Sequence, residues 1–224
     1  PMRSTLNSTR WLLAAVAAPA LLQTNSEAVL VIAGVTDGDL SGGNPKSIIL
    51  QAVAPVADLS IWAVGSANNG GGTDGAELTL PAGSASAGDV FVIPGNSVSR
   101  DFFANNFVQN FSLVDTGGSF VASINGDDAV ELFMNGSVFD VYGDPDTNGD
   151  GETWDYTDGF ATRIGEGVGA FDQANYSSNF KAFDTLDEAQ HVAIFESAGF
   201  TVIPEPGTTA LLLLSCGFLF RRRR

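Results

Sequence analysis

The sequence predicts an all-β protein, an antiparallel β-sandwich with one late helix, and three observations lead to this prediction. Short apolar runs rich in β-branched residues recur along the chain, and clusters of Gly, Asn and Asp separate them. Glycine is abundant, with 26 residues in a chain of 224. The only cysteine is Cys216, so the body contains no disulfide, and a domain of roughly 175 residues can bury a core without one.

The strand candidates follow one another from the start of the body. The runs are AVLVIAGVTDG, KSIILQAV, LSIWAV, AELTL and DVFVI, each bounded by Gly, Asp or Pro. The strongest local signal is DDAVELFMNGSVFDVYGD, because Asn135 and Gly136 both accept positive φ and predict a two-residue type I′ turn. The resulting register places Glu131 opposite Asp140. Two such like charges either point to water or hold a cation between them.

The late helix is predicted by the stretch TLDEAQHVAIFESAGF. Thr185 and Glu188 have the spacing of a capping box, and Gly199 suits the C-terminal end. A second short helix is expected to start near Ser99. His191 is the only histidine and falls in the middle of the late helix, where packing is a more common role for histidine than chemistry.

The charge of the chain is unevenly distributed. Residues 29–203 contain 24 acidic and four basic side chains, a net charge of −20, whereas the whole chain carries −16. Such a body repels nucleic acid and anionic membrane surfaces, so no nucleic-acid partner is expected. It attracts hard divalent cations, which take oxygen ligands, although solubility in a salty medium explains the same charge.

The N-terminus, residues 1–28, has the features of a secretory signal peptide. Arg3 and Arg10 form a basic region, and residues 11–22 form an apolar segment that is short for a membrane span. We expect a signal helix that is handled by the Sec machinery and cut by signal peptidase after Ala28. Ala20 is the alternative cleavage point.

The C-terminus, residues 204–224, has three parts in a fixed order. Pro204 and Pro206 end the preceding domain, because each fixes φ and lacks a backbone N–H. Residues 208–220 are nearly all apolar and would form a helix of about 20 Å, against a hydrocarbon core of about 30 Å. The last four residues are arginines, which would hold the end on the cytoplasmic side. This pattern predicts a short transmembrane helix, and a plain tail anchor is the alternative interpretation.

This C-terminus resembles the PEP-CTERM sorting signal of Gram-negative bacteria. The resemblance lies in Pro204, Glu205 and Pro206, in the apolar run, and in the terminal cluster of Arg221, Arg222, Arg223 and Arg224. It implies recognition by an exosortase, a membrane transpeptidase-like enzyme, which would remove the tail. The expected course is transient anchoring in the inner membrane, followed by a location at the cell surface or in an exopolysaccharide matrix.

The body, residues 29–203, resembles a bacterial lamin-tail domain. The matching stretches are LVIAGVTDGDLSGGNPKSIILQAV, ADLSIWAVGSANNGGGTDGAELTLP, SINGDDAVELFMNGSVFDVYGD and WDYTDGFATR, which cover residues 30–163. The resemblance implies an immunoglobulin-like sandwich and an adhesion or tethering module that often accompanies secreted hydrolases, without catalysis of its own. Two departures stand out. Ile49 occupies a position where many members have an acid, and residues 164–201 do not match the family.

The stretch DPDTNGDGETWD fits the calcium-loop pattern D-x-[DN]-x-[DN]-G-x₅-[DE], with Asp at the twelfth position instead of the usual Glu. Gly149 would permit the sharp turn of such a loop. The candidate ligands for Ca²⁺ are Asp144, Asp146, Asn148, Asp150 and Asp155. The alternative interpretation is a long acidic loop between strands, rich in turn-forming residues.

Other chemistry has little support in the sequence. With one histidine and no cysteine in the body, a nucleophilic triad is improbable and a histidine-rich zinc site is excluded. The expected function is therefore non-enzymatic adhesion or tethering, with calcium as the candidate ion and exopolysaccharide or other surface proteins as candidate partners. One alternative is a secreted hydrolase that uses metal or paired carboxylates, for which Asp127, Asp128 and Glu131 are candidates among many acids. Another is a carbohydrate-binding module with Trp62, Trp154 and Tyr156 as a stacking platform, although such aromatic residues more often belong to a core.

Overall fold

The structure is a computed structural model that describes residues 29–202. The predicted signal peptide, 1–28, and the predicted sorting signal, 204–224, lie outside the described residues. The strands are β1 Leu30–Asp37, β2 Ser47–Ala52, β3 Trp62–Ala67, β4 Leu78–Thr79, β5 Val90–Pro94, β6 Ser112–Leu113, β7 Ala129–Met134, β8 Ser137–Tyr142, β9 Gly159–Arg163 and β10 Tyr176–Asn179. The helices are α1 Ser97–Asn106 and α2 Glu188–Ser197.

The strands form two sheets, which confirms the predicted mostly antiparallel, sandwich-like β architecture with a late helix. One sheet has six strands in the order β10-β9-β1-β2-β5-β6, and the other has four in the order β4-β3-β7-β8. One pair departs from the prediction, because β5 and β6 run parallel. Parallel neighbours need a long crossover, and helix α1 between these two strands supplies it.

The main core lies between the two sheets. Alternate residues of each strand point into it, as Ile48 and Leu50 of β2 do from the six-stranded sheet. Trp62 and Val64 of β3 point into it from the four-stranded sheet, and all four side chains are fully buried. This alternation is the reason that strands of period two were recognisable in the sequence.

A second apolar cluster covers the opposite face of the six-stranded sheet. Ile49, which lies between the two core residues of β2, points into this cluster together with Val92 of β5. The centre is Phe103 of α1, whose ring centroid lies 5.2 Å from that of Phe195 in α2. Because helices pack on this face, an apolar side chain at position 49 suits its surroundings. The other buried aromatic residues of the cluster are Phe102, Phe107, Phe111 and Phe183.

The hairpin of β7 and β8 confirms the predicted turn and corrects the predicted register. Asn135 and Gly136 adopt φ of 52° and 78°, as a type I′ turn requires. The pairing shifts two residues beyond the turn, where β8 contains one additional residue, Phe139. The prediction that Glu131 lies opposite Asp140 is therefore wrong, and no cation is needed to hold these two carboxylates together.

The limits of α2 are close to the predicted ones, but its N-terminal cap is different. The reciprocal capping bonds join Asp187 and Gln190, not Thr185 and Glu188. Thr185 has a φ of 65° and lies outside the helix, so it cannot serve as the cap. Gly199, with a φ of 103°, follows the last turn as predicted.

Candidate functional site

The predicted calcium loop connects β8 to β9, and its first half is closed by its own side chains. Asp144 accepts hydrogen bonds from the backbone N–H of Asp146 (3.1 Å) and from the hydroxyl of Thr147 (2.9 Å). Asn148 accepts one from the backbone N–H of Asp150 (2.8 Å). These are the short-range side-chain bonds that Asp and Asn form in turns. The carboxylates of Asp146 and Asp150 take part in none of the hydrogen bonds described for this loop.

The second half of the loop turns Asp155 inward. Its carboxylate accepts hydrogen bonds from the backbone N–H of Gly151 (3.0 Å) and of Thr157 (2.9 Å), and its side chain is buried. Within residues 29–202, no three Asp, Glu, His or Cys side chains are grouped so that they could hold a metal ion. For Ca²⁺ to bind here, the loop would have to exchange its internal N–H bonds for contacts with the ion. Calcium binding by the five candidate ligands therefore stays a prediction.

Gly149 has a different role from the one expected for a calcium loop. A Cβ atom at this position would lie 2.5 Å from the indole ring of Trp154 and 3.0 Å from the Cα of Asp127. The glycine is needed because backbone and ring approach each other closely. The positive φ in this part of the loop belongs to Gly151, at 77°.

Glu131 of β7, one of the carboxylates considered for the hydrolase alternative, lies next to this loop and was not among the predicted calcium ligands. It is 1% exposed, its Oε1 accepts a hydrogen bond from the Thr73 hydroxyl (2.7 Å), and its Oε2 has no hydrogen-bond partner among the described residues. Burial raises the pKa of this carboxyl, and the nearby acids Asp74 and Asp146 raise it further. Glu131 also lines a cavity of about 500 Å³ together with Asp144. The two sequence segments that meet here are the glycine-rich loop after β3 and the predicted calcium loop.

The two buried ion pairs of the described region have structural roles. Arg163 pairs with Asp140 and donates from Nε to the carbonyl of Ile32 (2.7 Å), while the backbone N–H of Ile32 donates to Asp140 (2.9 Å). Because Asp140 is on β8 and Arg163 on β9, this pair links the two sheets. Burial raises the pKa of Asp140, and the Ile32 N–H and Arg163 partly offset that effect. The second pair joins Lys46 to Asp37.

The aromatic residues considered as a sugar platform belong to the core. Trp62 and Tyr156 are fully buried, and Trp154 is 4% exposed. The hydroxyl of Tyr156 donates to the carbonyl of Asp128 (3.0 Å), so its polar end is used inside the molecule. The hypothesis of a stacking platform built from these three residues is wrong, because no flat face is open to a sugar ring.

His191 is a packing residue, as its place in the predicted helix favoured. It is fully buried, and its ring stacks on Phe183 with 4.5 Å between centroids. Nδ1 lies 2.8 Å from the carbonyl of Asp187, and Nε2 lies 3.1 Å from Asp39. The imidazole thus packs the first turn of α2 against the loop after β1, although Nε2 and Asp39 Oδ1 form no hydrogen bond among the described residues.

The comparisons with known proteins give no relative. No protein-family model, no curated protein and no solved structure matches this chain. Neither helix of the described region has the length or the apolar character that crossing a bilayer requires. The predicted sorting residues Pro204, Glu205, Pro206, Arg221, Arg222, Arg223 and Arg224 lie outside the described residues, as does the signal peptide.

Proposed function

We propose that this chain is an exported, non-enzymatic protein of the bacterial cell surface or exopolysaccharide matrix, with an adhesion or tethering role. One observation carries the proposal, namely the order of Pro204-Glu205-Pro206, an apolar run and a terminal arginine cluster. Together with the basic and apolar features of residues 1–28, this order of motifs indicates how the chain is exported and sorted. The Sec machinery exports the chain, signal peptidase cuts it, the C-terminal segment anchors it briefly in the inner membrane, and an exosortase processes it.

In this proposal the two sheets of the body form an immunoglobulin-like sandwich of the lamin-tail type. Support comes from the two mostly antiparallel sheets that share one core and from the succession of matching stretches over residues 30–163. Helix α2 and the loop before it lie in the stretch without resemblance. They are an addition to the sandwich that belongs to this chain.

A binding role, as opposed to catalysis, is supported by how the chemically versatile groups are used. Lys46 and Arg163 are engaged in buried ion pairs, and His191 is stacked and enclosed. Most other ionisable side chains are acids on the surface of a strongly negative body. Such a surface suits contact with cations and with cation-bridged acidic polymers such as matrix polysaccharides.

The sorting part of the proposal is tested in a host that has an exosortase. Replacing Arg221, Arg222, Arg223 and Arg224 with Gln should leave the precursor unprocessed and associated with the inner membrane, because the positive charges set the orientation of the segment. Immunoblots of membrane, surface and medium fractions report size and location. A variant that is processed and located like the parent would argue against the sorting signal.

Calcium is the ion that this proposal assigns to the Asp144–Asp155 loop. Calorimetric titration of residues 29–203 with CaCl₂, and thermal melts in calcium and in chelator, should show binding and a raised melting temperature. Asp146→Asn should weaken binding without destabilising the calcium-free protein, because this carboxylate holds no hydrogen bond in the loop. Asp115→Asn is the matched control, since that side chain is 89% exposed and precedes the Asp144–Asp155 loop by 29 residues in the sequence. Absence of heat and identical melts would remove calcium from the proposal.

The non-enzymatic part of the proposal has its own test. Residues 29–203 are incubated with matrix polysaccharides and with nucleic acids, with and without divalent metal. We expect retention of the protein on an acidic polysaccharide in the presence of calcium, and no change in polymer length. Metal-dependent cleavage of any of these polymers would overturn the proposed role in favour of a hydrolase.

A further inference from the structure

An open apolar groove lies on the face of the six-stranded sheet that the helices cover incompletely. Its floor includes Ile49 of β2 and Val90 of β5, and one wall is formed by Ile194 of α2 and by Ala198, which follows that helix. The volume is about 780 Å³, within the range of sites that hold a ligand or a peptide segment. The groove is distinct from the acidic loop of the candidate site.

The rim of this groove exposes apolar side chains to water. Val53, Ile164 and Val168 are 53%, 68% and 47% exposed, and all three line the groove. Several large apolar side chains exposed together around one groove are typical of a docking site. An occupant that covers these side chains would remove them from water and gain the corresponding hydrophobic free energy.

The groove lies near both ends of the described chain. Val29, the first described residue, and Phe200 line it, and Val202, the last described residue, forms a bridge with Phe107 of the same apolar cluster. The apolar segment 208–220 begins after only five further residues, 203–207. An extended linker of that length reaches about 17 Å, so the segment can return to the groove without any change in the body.

We infer that the groove is the docking site of the chain's own C-terminal apolar segment, residues 208–220, in the precursor before processing. The docked segment covers the rim residues and is itself kept out of water. Because segment and groove belong to one chain, docking is intramolecular and proceeds at a high effective concentration. This inference rests on the proposed function for its purpose, which is to shield the apolar sorting segment of the folded precursor from water whenever that segment is outside the membrane.

Charge favours this occupant over the N-terminal apolar segment. Four arginines follow directly after residue 220, whereas the two arginines of the N-terminus precede its apolar run. The body carries a net charge of −20. Two charged side chains line the groove, the exposed acid Glu166 and Arg163, whose charge is paired with Asp140. An arginine cluster leaving the groove therefore meets a negative surface, which adds electrostatic attraction to the apolar contact.

Cys216 makes the inference testable, because it is the only cysteine of the chain and lies inside the segment. A second cysteine is placed at the rim of the groove, as Ile164→Cys or Val53→Cys, in the dilute full chain. The matched control is Phe120→Cys, which replaces a 79% exposed apolar side chain outside the groove. All three positions are open to water, so the substitutions leave the folded core intact.

Under mild oxidation we expect an intramolecular disulfide between Cys216 and the rim cysteine to form roughly ten-fold faster than in the control. Non-reducing gels separate it from dimers, and peptide mass spectrometry identifies the linked pair. Equal rates at rim and control positions, or disulfides formed only between two chains, would overturn the inference. No exosortase takes part, so failure of docking is distinguishable from failure of sorting, which the arginine replacements report separately.

Discussion

Replacing Lys46 with Met removes one partner of a buried ion pair. Lys46 Nζ lies 2.5 Å from Asp37 Oδ1 and also donates to the Ile124 carbonyl (2.8 Å) and to Asn125 Oδ1 (3.0 Å). The side chains of Lys46 and Asp37 are 10% and 6% exposed. Met fills similar space but has no charge and no donor. Breaking a buried pair in this way costs about 3–5 kcal/mol, because the remaining charge stays buried without a partner. We expect the free energy of unfolding at neutral pH to fall by that amount.

Urea denaturation of residues 29–203 measures this change, and its pH dependence identifies the cause. Burial raises the pKa of Asp37, while Lys46 opposes this shift. Without Lys46 the pKa of Asp37 rises further, so the carboxyl is protonated more readily and the deficit shrinks as the pH is lowered. The double variant Asp37→Asn, Lys46→Met leaves no charge buried and should recover much of the lost stability.

The matched control is Lys181→Met, which removes the same charge from an exposed position. Its ammonium lies 5.5 Å from the ring of Phe180, and its loss should cost less than about 1 kcal/mol. A loss of the same small size for Lys46→Met would refute the reasoning. A double variant no more stable than the single one would also refute it, because the cost would then not come from an uncompensated charge.

Three further tests concern other parts of the molecule. Gly149→Ala places a Cβ 2.5 Å from the Trp154 indole and should lower stability by about 1–3 kcal/mol in thermal melts. Phe103→Ala, at a fully buried position, should cost about 3–5 kcal/mol by urea denaturation, whereas Phe120→Ala, at an exposed position, should be nearly neutral. Because the pKa of Glu131 is raised on folding, the folded chain binds more protons above the ordinary carboxyl pKa, and stability should rise as the pH falls from neutrality towards that value. Glu131→Gln should flatten this profile, and an unchanged slope would contradict the assigned burial.

Local patterns located seven of the ten strands of the described region and the hairpin turn, whereas β6, β9 and β10 were not recognised and long-range packing decided the register of the hairpin. Asn135 and Gly136 predict their turn, because positive φ is a property of the residues themselves. The bulge at Phe139 depends on a partner in another strand, since its ring packs edge to face on Trp62 with 5.0 Å between centroids. No pattern within the hairpin contains that contact, so alternation alone gave the wrong pairing.

The same limit applies to the candidate site. The acidic loop was recognisable as a loop, because Asp, Asn and Gly cluster in it. Its side-chain partners were not predictable, since Asp144 and Asn148 can bind either an ion or the neighbouring backbone N–H groups. The burial of Glu131 was not predictable, because the hydroxyl that binds its carboxylate belongs to Thr73, 58 residues away along the chain. From the alternation of inward- and outward-facing side chains along a single strand, this carboxylate would be expected to point to water.

The groove is built from two parts of the fold. Ile164, Val168 and α2 supply part of its rim and one wall, whereas β1, β2, β5 and β9 supply most of the remaining lining. Ile49 of β2 lies in its floor, between two residues that point into the main core. If the disulfide test succeeds, Ile49→Asp should abolish the difference in rate between the rim cysteines and the Phe120→Cys control, because a charge in the floor would oppose an apolar occupant.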